Sequence, residues 1–125
     1  MFLKKKEVSI SGENVVIHEL SALQRIDYFD FLATKEKELD GLESPEKDYK
    51  SMRSMVETQA WLVSRSLWHE DRDRDIEDLY DEITQTWSSE ALNEAVMVIS
   101  EISGMSNSES EDDENKDTET ASLEK

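Results

Sequence analysis

Hydrophobic positions in this chain follow two different rhythms. Between residues 2 and 17 they alternate loosely, with Phe2, Val8 and Ile10 before Ser11-Gly12-Glu13-Asn14 and Val15, Val16 and Ile17 after it. A Gly/Asn-containing break between two β-branched runs predicts a hairpin. Two strands alone are marginal in water, so this hairpin must lean on other elements. From Ser21 onward the apolar spacing changes to three and four residues, the repeat of an α-helix.

Ser21 with Gln24 three residues later is a capping-box pattern, followed by Leu23, Ile26, Phe29 and Leu32 at helical spacing. Asp40-Gly41 breaks that helix. Ser44-Pro45 starts a second, Ser as N-cap and Pro in the first turn. Its stripe runs Tyr49, Met52, Val56, Ala60, Val63 and Leu67. A charged connector from His69 to Asp75 leads to a third helix carrying Ile76, Leu79, Tyr80, Ile83 and Trp87. Ser88 or Ser89 caps a fourth with Leu92, Ala95, Val96, Ile99 and Ile102, and Gly104 is a natural C-cap. The expected fold class is mainly α, a small bundle of about four helices with an N-terminal β-hairpin packed on it. Ile26, Phe29, Val63, Leu67, Leu79, Ile83, Trp87, Val96 and Ile99 are its expected core.

After Gly104 the periodicity stops. Residues 106–125 hold eight carboxylates, two lysines and a single large aliphatic residue, Leu123. So little apolar surface cannot offset the roughly 1–2 kcal/mol per residue that ordering the backbone costs. Residues 1–104 are therefore expected to fold, and residues 105–125 to form a disordered acidic tail.

Charge narrows the partners. The chain carries −17, of which the tail supplies −6, leaving −11 on the body. Such a body repels phosphate backbones, because nucleic-acid affinity comes mainly from cations displacing counterions. No nucleic-acid partner is expected. No membrane partner is expected either: MFLKKKEV lacks an apolar h-region, and no run approaches the ~20 apolar residues of a span. Without cysteine there is no disulfide or thiolate chemistry. These features place the chain in a cytoplasm.

Candidate chemistry is thin. Asp71, Asp73, Asp75 and Glu82 fall at the acidic positions of a calcium loop, but Ile76 stands where that loop needs Gly. The same stretch reads as a helix, so a solvated connector is the better reading. His18 and His69 show no ligand spacing, and no Cys accompanies them. With 31 acidic residues no carboxylate pair stands out, and there is no Gly-rich phosphate loop. No catalytic, cofactor-binding or metal residues are assigned, and an enzyme is not expected. The large apolar groups say more. Most of the three tryptophans belong in a core, yet the second helix carries Met55, Trp61, Leu62 and Trp68 beyond its stripe. Met and Trp are over-used in adaptable protein-binding surfaces. Met55, Trp61 and Trp68 are the expected partner contacts, on an apolar patch rimmed by acids.

Particular blocks add to this. Met1-Phe2-Leu3-Lys4, Leu20-Ser21-Ala22-Leu23-Gln24-Arg25-Ile26, Leu62-Val63 with Ser66-Leu67-Trp68-His69, Thr86-Trp87 with Glu90-Ala91, and Ser103-Gly104-Met105 occur in that order. In this the chain resembles the minor tail protein G family of lambda-like phages, which are tail assembly chaperones. The stretches from Ala33 to Lys50 and from Glu70 to Asp75 do not share the likeness. The resemblance implies a factor in the host cytoplasm, absent from the mature virion, that coats the tape measure protein while a long non-contractile tail is built. It also implies a longer product, made by a −1 ribosomal frameshift, whose extension recruits the tail-tube subunit. The residue pairs Gly-Lys, Lys-Lys and Leu-Lys that the usual slip encodes do not occur after Gly104. The family brings no catalytic residues and no cofactor. The rival class is a DNA-mimic inhibitor, which needs ordered carboxylates spaced like phosphates. A chaperone needs a contiguous apolar patch instead. An acidic helical adaptor is a third reading.

Overall fold

A computed structural model describes residues 2–105. Strands β1 (Lys5–Ile10) and β2 (Glu13–His18) pair antiparallel, with Lys5 opposite His18 and Ile10 opposite Glu13. Ser11 and Gly12 form the connection, with φ of 51° and 88°. Two consecutive left-handed residues give a turn whose twist matches the strands, so Glu13 and Asn14 join β2 rather than the break. The face holding Val8, Ile10, Val15 and Ile17 turns inward, and Ile10 and Ile17 are buried.

Four helices follow: α1 (Ala22–Glu38), α2 (Glu46–Trp68), α3 (Ile76–Thr86) and α4 (Ser89–Ile102). The capping box forms: the Gln24 N–H donates to Ser21 Oγ at 3.2 Å and the Ser21 N–H to Gln24 Oε1 at 3.0 Å. Asp75 caps α3 by accepting from the Glu77 and Asp78 amides. Ser88 caps α4 by accepting from the Ala91 amide. At the far end of α4, Gly104 (φ 72°) donates to Glu101 O and Met105 to Ser100 O, at 3.2 and 2.7 Å. That paired closure needs a left-handed residue, which glycine adopts without strain. Met105, placed in the tail by its sequence, thus closes the helix and packs against the core. The expectation for residues 106–125 lies outside the described residues. At α2 the Ser44 hydroxyl does not cap. Pro45 holds the N-cap position, and Glu46 and Asp48 supply negative charge to the first turn.

Helix α2 is the axis of the molecule, touching α1, α3, α4 and β2, while α4 also packs on both strands. Between them lie Ile17 and Leu20, then Leu62 and Val63 of α2, Ile83 of α3, and Leu92, Ala95 and Ile99 of α4. Of the expected core, Val63, Leu79, Ile83 and Ile99 are buried, and Leu67, Trp87 and Val96 are half-buried against it. Ile26 and Phe29 are exposed, contrary to expectation. Helix α1 meets α2 alone among the described elements, through the face of Gln24, Tyr28, Phe31 and Lys35. At 100° per residue, the Leu23–Ile26–Phe29 stripe points the other way.

Of three buried serines, two join separate segments and the third bonds within its own helix. Ser66 Oγ accepts from the His18 N–H at 2.9 Å and donates to the His18 carbonyl at 2.8 Å, pinning β2 to α2. Ser103 Oγ accepts from the Leu20 N–H at 3.1 Å, and Ser64 Oγ donates to the Trp61 carbonyl. Ser66→Ala leaves two strand groups without their partner and is expected to cost ~1–3 kcal/mol in urea unfolding. A loss under ~0.5 kcal/mol would show that water replaces the hydroxyl.

Candidate functional site

The α1–α2 pair is antiparallel and closed by aromatic and charged contacts. The Trp61 ring lies against Tyr28 and Phe31, with centroids at 5.8 and 5.6 Å, and the Arg65 guanidinium sits 4.4 Å from its centroid. Lower down, Lys35 Nζ donates to Glu57 at 2.8 Å, and Arg53 Nε reaches the same carboxylate at 3.1 Å. Partial burial opposes both charges, but the pairing outweighs it, so the pKa of Lys35 is raised and that of Glu57 lowered.

This packing relocates two of the three expected contacts. Trp61 is only 7 % exposed and belongs to the α1–α2 interface, so it offers a partner nothing. Trp68 is half-buried: its indole N–H donates to Arg74 O at 3.1 Å, and Arg72 lies 5.5 Å over the ring, tying it to the α2–α3 connector. Met55 is 63 % exposed.

Apart from Phe2 and Met97, the exposed large apolar side chains fall on α1 and α2, and of these Ile26 and Phe29 were expected in the core. On α2, Tyr49 and Met52 (70 and 67 % exposed) lie on the line that continues through Val56, Ala60, Val63 and Leu67. Beside Arg53 and Val56, α3 still contributes Tyr80, Asp81, Thr84 and Gln85. Beyond them the N-terminal turns of α2 run past the covering layer, and the stripe is bare. On α1, Leu23, Ile26 and Phe29 are 65, 61 and 58 % exposed. These five side chains, with Met55, form the candidate site. The signal was present in the sequence as apolar periodicity but lacked a direction.

Several carboxylates are taken up by ion pairs within the fold. Glu57, Glu70, Glu77 and Glu82 are paired with Lys35, His18, Arg65 and Arg74 respectively. Among the calcium-spaced residues, Asp75 is spent on the α3 cap and Glu82 on Arg74. Among the described residues no group of three His, Asp or Glu is placed to hold a metal.

One cluster was invisible in the sequence. His18 and His69, remote along the chain, have ring centroids 5.8 Å apart. His18 Nε2 lies 2.5 Å from Glu70, and His69 bridges Gln24 Oε1 through Nε2 and Arg72 through Nδ1, each at 2.8 Å. Arg72 can only donate, so Nδ1 accepts and Nε2–H donates: the fold uses a neutral imidazole. Burial, then the charges of Arg72 and His18, lower the His69 pKa from 6.5 to about 4. A depressed histidine favours folding while neutral. Its contribution is complete above pH 6.5 and declines as pH falls towards 4. An NMR titration of the His69 ring should give a midpoint near 4; a midpoint near 6.5 would contradict this geometry.

The blocks that carry the family likeness meet here. His69 joins Gln24, Ser66 holds β2, and Ser103 holds Leu20. Residues 1–122 match the family described as the bacteriophage lambda tail assembly chaperone, TAC, protein G. The chain belongs to this family of tail assembly chaperones. It is 33% identical over 115 residues to tail assembly protein G of Escherichia phage N15, covering 84% of this chain and 78% of that protein. Its identity to tail assembly protein G of Escherichia phage lambda is 32% over 113 residues, 84% of this chain and 79% of that protein. The N15 tail assembly protein GT matches over the same share of this chain, but the match spans only 44% of its length. No solved structure matches the chain. Among the described residues, no helix is long and apolar enough to cross a membrane.

Proposed function

We propose that this chaperone binds the tape measure protein of its phage and keeps it soluble while a long non-contractile tail is assembled. The observation that carries the reading is the pair of bare helical stripes, Leu23–Ile26–Phe29 and Tyr49–Met52–Met55, on a chain of net charge −17. Large apolar groups of that kind mark protein-binding surfaces, and the surrounding charge keeps the loaded protein in solution. The role is binding rather than catalysis and uses no cofactor. It is exercised in the host cytoplasm, and the protein is absent from the finished virion.

The relatives' two lengths, G and GT, support a second product here too. In this proposal a −1 frameshift extends the chain, and the extension recruits the tail-tube subunit. Co-expression tests the main reading. With this chain present, the tape measure protein should move from the pellet to the supernatant. A tape measure equally soluble alone would contradict it.

A further inference from the structure

We infer that the outer face of α1 seats one amphipathic helix of the partner, with that helix's basic side chains beside Asp27 and Asp30. The inference deepens the chaperone reading and rests on it. Ala22, Ile26, Phe29 and Ala33 recur at steps of four, three and four residues, the spacing of a coiled-coil seam. This seam lies opposite the Gln24–Tyr28–Phe31–Lys35 face that α2 covers, and α1 touches no other described element. It runs roughly 17 Å at 1.5 Å per residue, about three turns. Small alanines at both ends let a second helix approach closely, and Ile26 and Phe29 stand between them as the projecting side chains. Leu23 widens the seam on the flank that also carries Asp27 and Asp30.

Charge selects the occupant. That flank is exposed and, with Asp27 and Asp30 against Lys37 one turn past the seam, net acidic, whereas on the opposite flank Arg25 and Glu36 offset one another. A second copy of this chain would bring another −17 against the same face, so like charges oppose self-pairing. A helix with Lys or Arg beside its apolar stripe meets opposite charge instead. The bare end of α2 makes no such choice, because Lys47, Lys50 and Arg53 alternate there with Glu46 and Asp48.

Two synthetic peptides of three heptads, each with Leu at the a and d positions, test the seat. One carries Lys at e and g and the other Glu. Titrated into isotope-labelled full chain, the Lys peptide should shift the amides of residues 22–33 and bind at least about tenfold tighter than the Glu peptide. Raising the salt to ~0.5 M should narrow that gap, since charge pairs are screened while the apolar seam is not. Ile26→Ser with Phe29→Ser should weaken the Lys peptide about tenfold or more with little change in melting temperature, because both side chains are mostly exposed. Met52→Ser with Met55→Ser should change it less than about twofold. Shifts centred on residues 49–56, equal binding of both peptides, or sedimentation showing dimers joined through residues 22–33 would overturn the seat. The peptides contain no tape measure sequence. A failed peptide test beside a solubilised tape measure therefore removes this seat alone, whereas an unaided tape measure removes the chaperone reading.

Discussion

Replacing Trp61 by Ala is expected to destabilise the domain by ~3–5 kcal/mol, the usual cost of deleting a buried large aromatic. The ring lies against Tyr28 and Phe31 of α1 and carries the Arg65 guanidinium of its own helix, so its loss removes the aromatic contacts between α1 and α2. Domains of this size are stable by about 5–15 kcal/mol, so the variant should be partly unfolded at moderate urea. Met55→Ala, on the same helix and exposed, should stay within ~0.5 kcal/mol of the parent. Equal effects from the two substitutions would mean that Trp61 does not close the interface.

The second large effect concerns the hairpin. Ile17 is fully buried and, with Ile10 and Leu20, joins the β-layer to α2 and α4. Ile17→Ala is expected to cost ~2–5 kcal/mol and to lower the melting temperature of the whole domain in a single transition. A cost under ~1 kcal/mol, or a separate early transition, would show the strands to be an appendage.

Much of the fold was legible because its signals are local. Ser21 with Gln24, Ser88 and Gly104 cap helix ends by bonds to residues a few positions away, and these caps formed. The turn at Ser11-Gly12 is equally local. Directions were harder to read. Helix α1 carries apolar groups on opposite faces, so its periodicity marks a helix without saying which face is covered. Ile26 and Phe29 were assigned inward for that reason. Trp61 shows the converse: α2 has neighbours on several sides, and residues off its main stripe are buried as deeply as those on it. The stripe argument assumes one covered face and fails on a central helix. Small Ser64 and Ser66, either side of Arg65 in a largely apolar run, were the available hint that α2 is surrounded. The His18–His69 contact depends on how β2 docks, and no local pattern encodes it.

Under the proposed function, bare apolar side chains rather than charge hold the tape measure protein. The most direct measurement is the affinity of the co-purified tape measure protein for the parent chain and for a variant with Ser at Ile26, Phe29, Met52 and Met55, each at ~0.15 and ~0.5 M salt. At the higher salt the Debye length is only a few Å, so exposed charge pairs are largely screened. The parent complex is expected to persist at both salts, and the variant to fold normally and lose at least about a hundredfold in affinity, about 2.7 kcal/mol. A parent complex that dissolves at ~0.5 M salt, or a variant that binds as the parent does, would contradict that function as proposed.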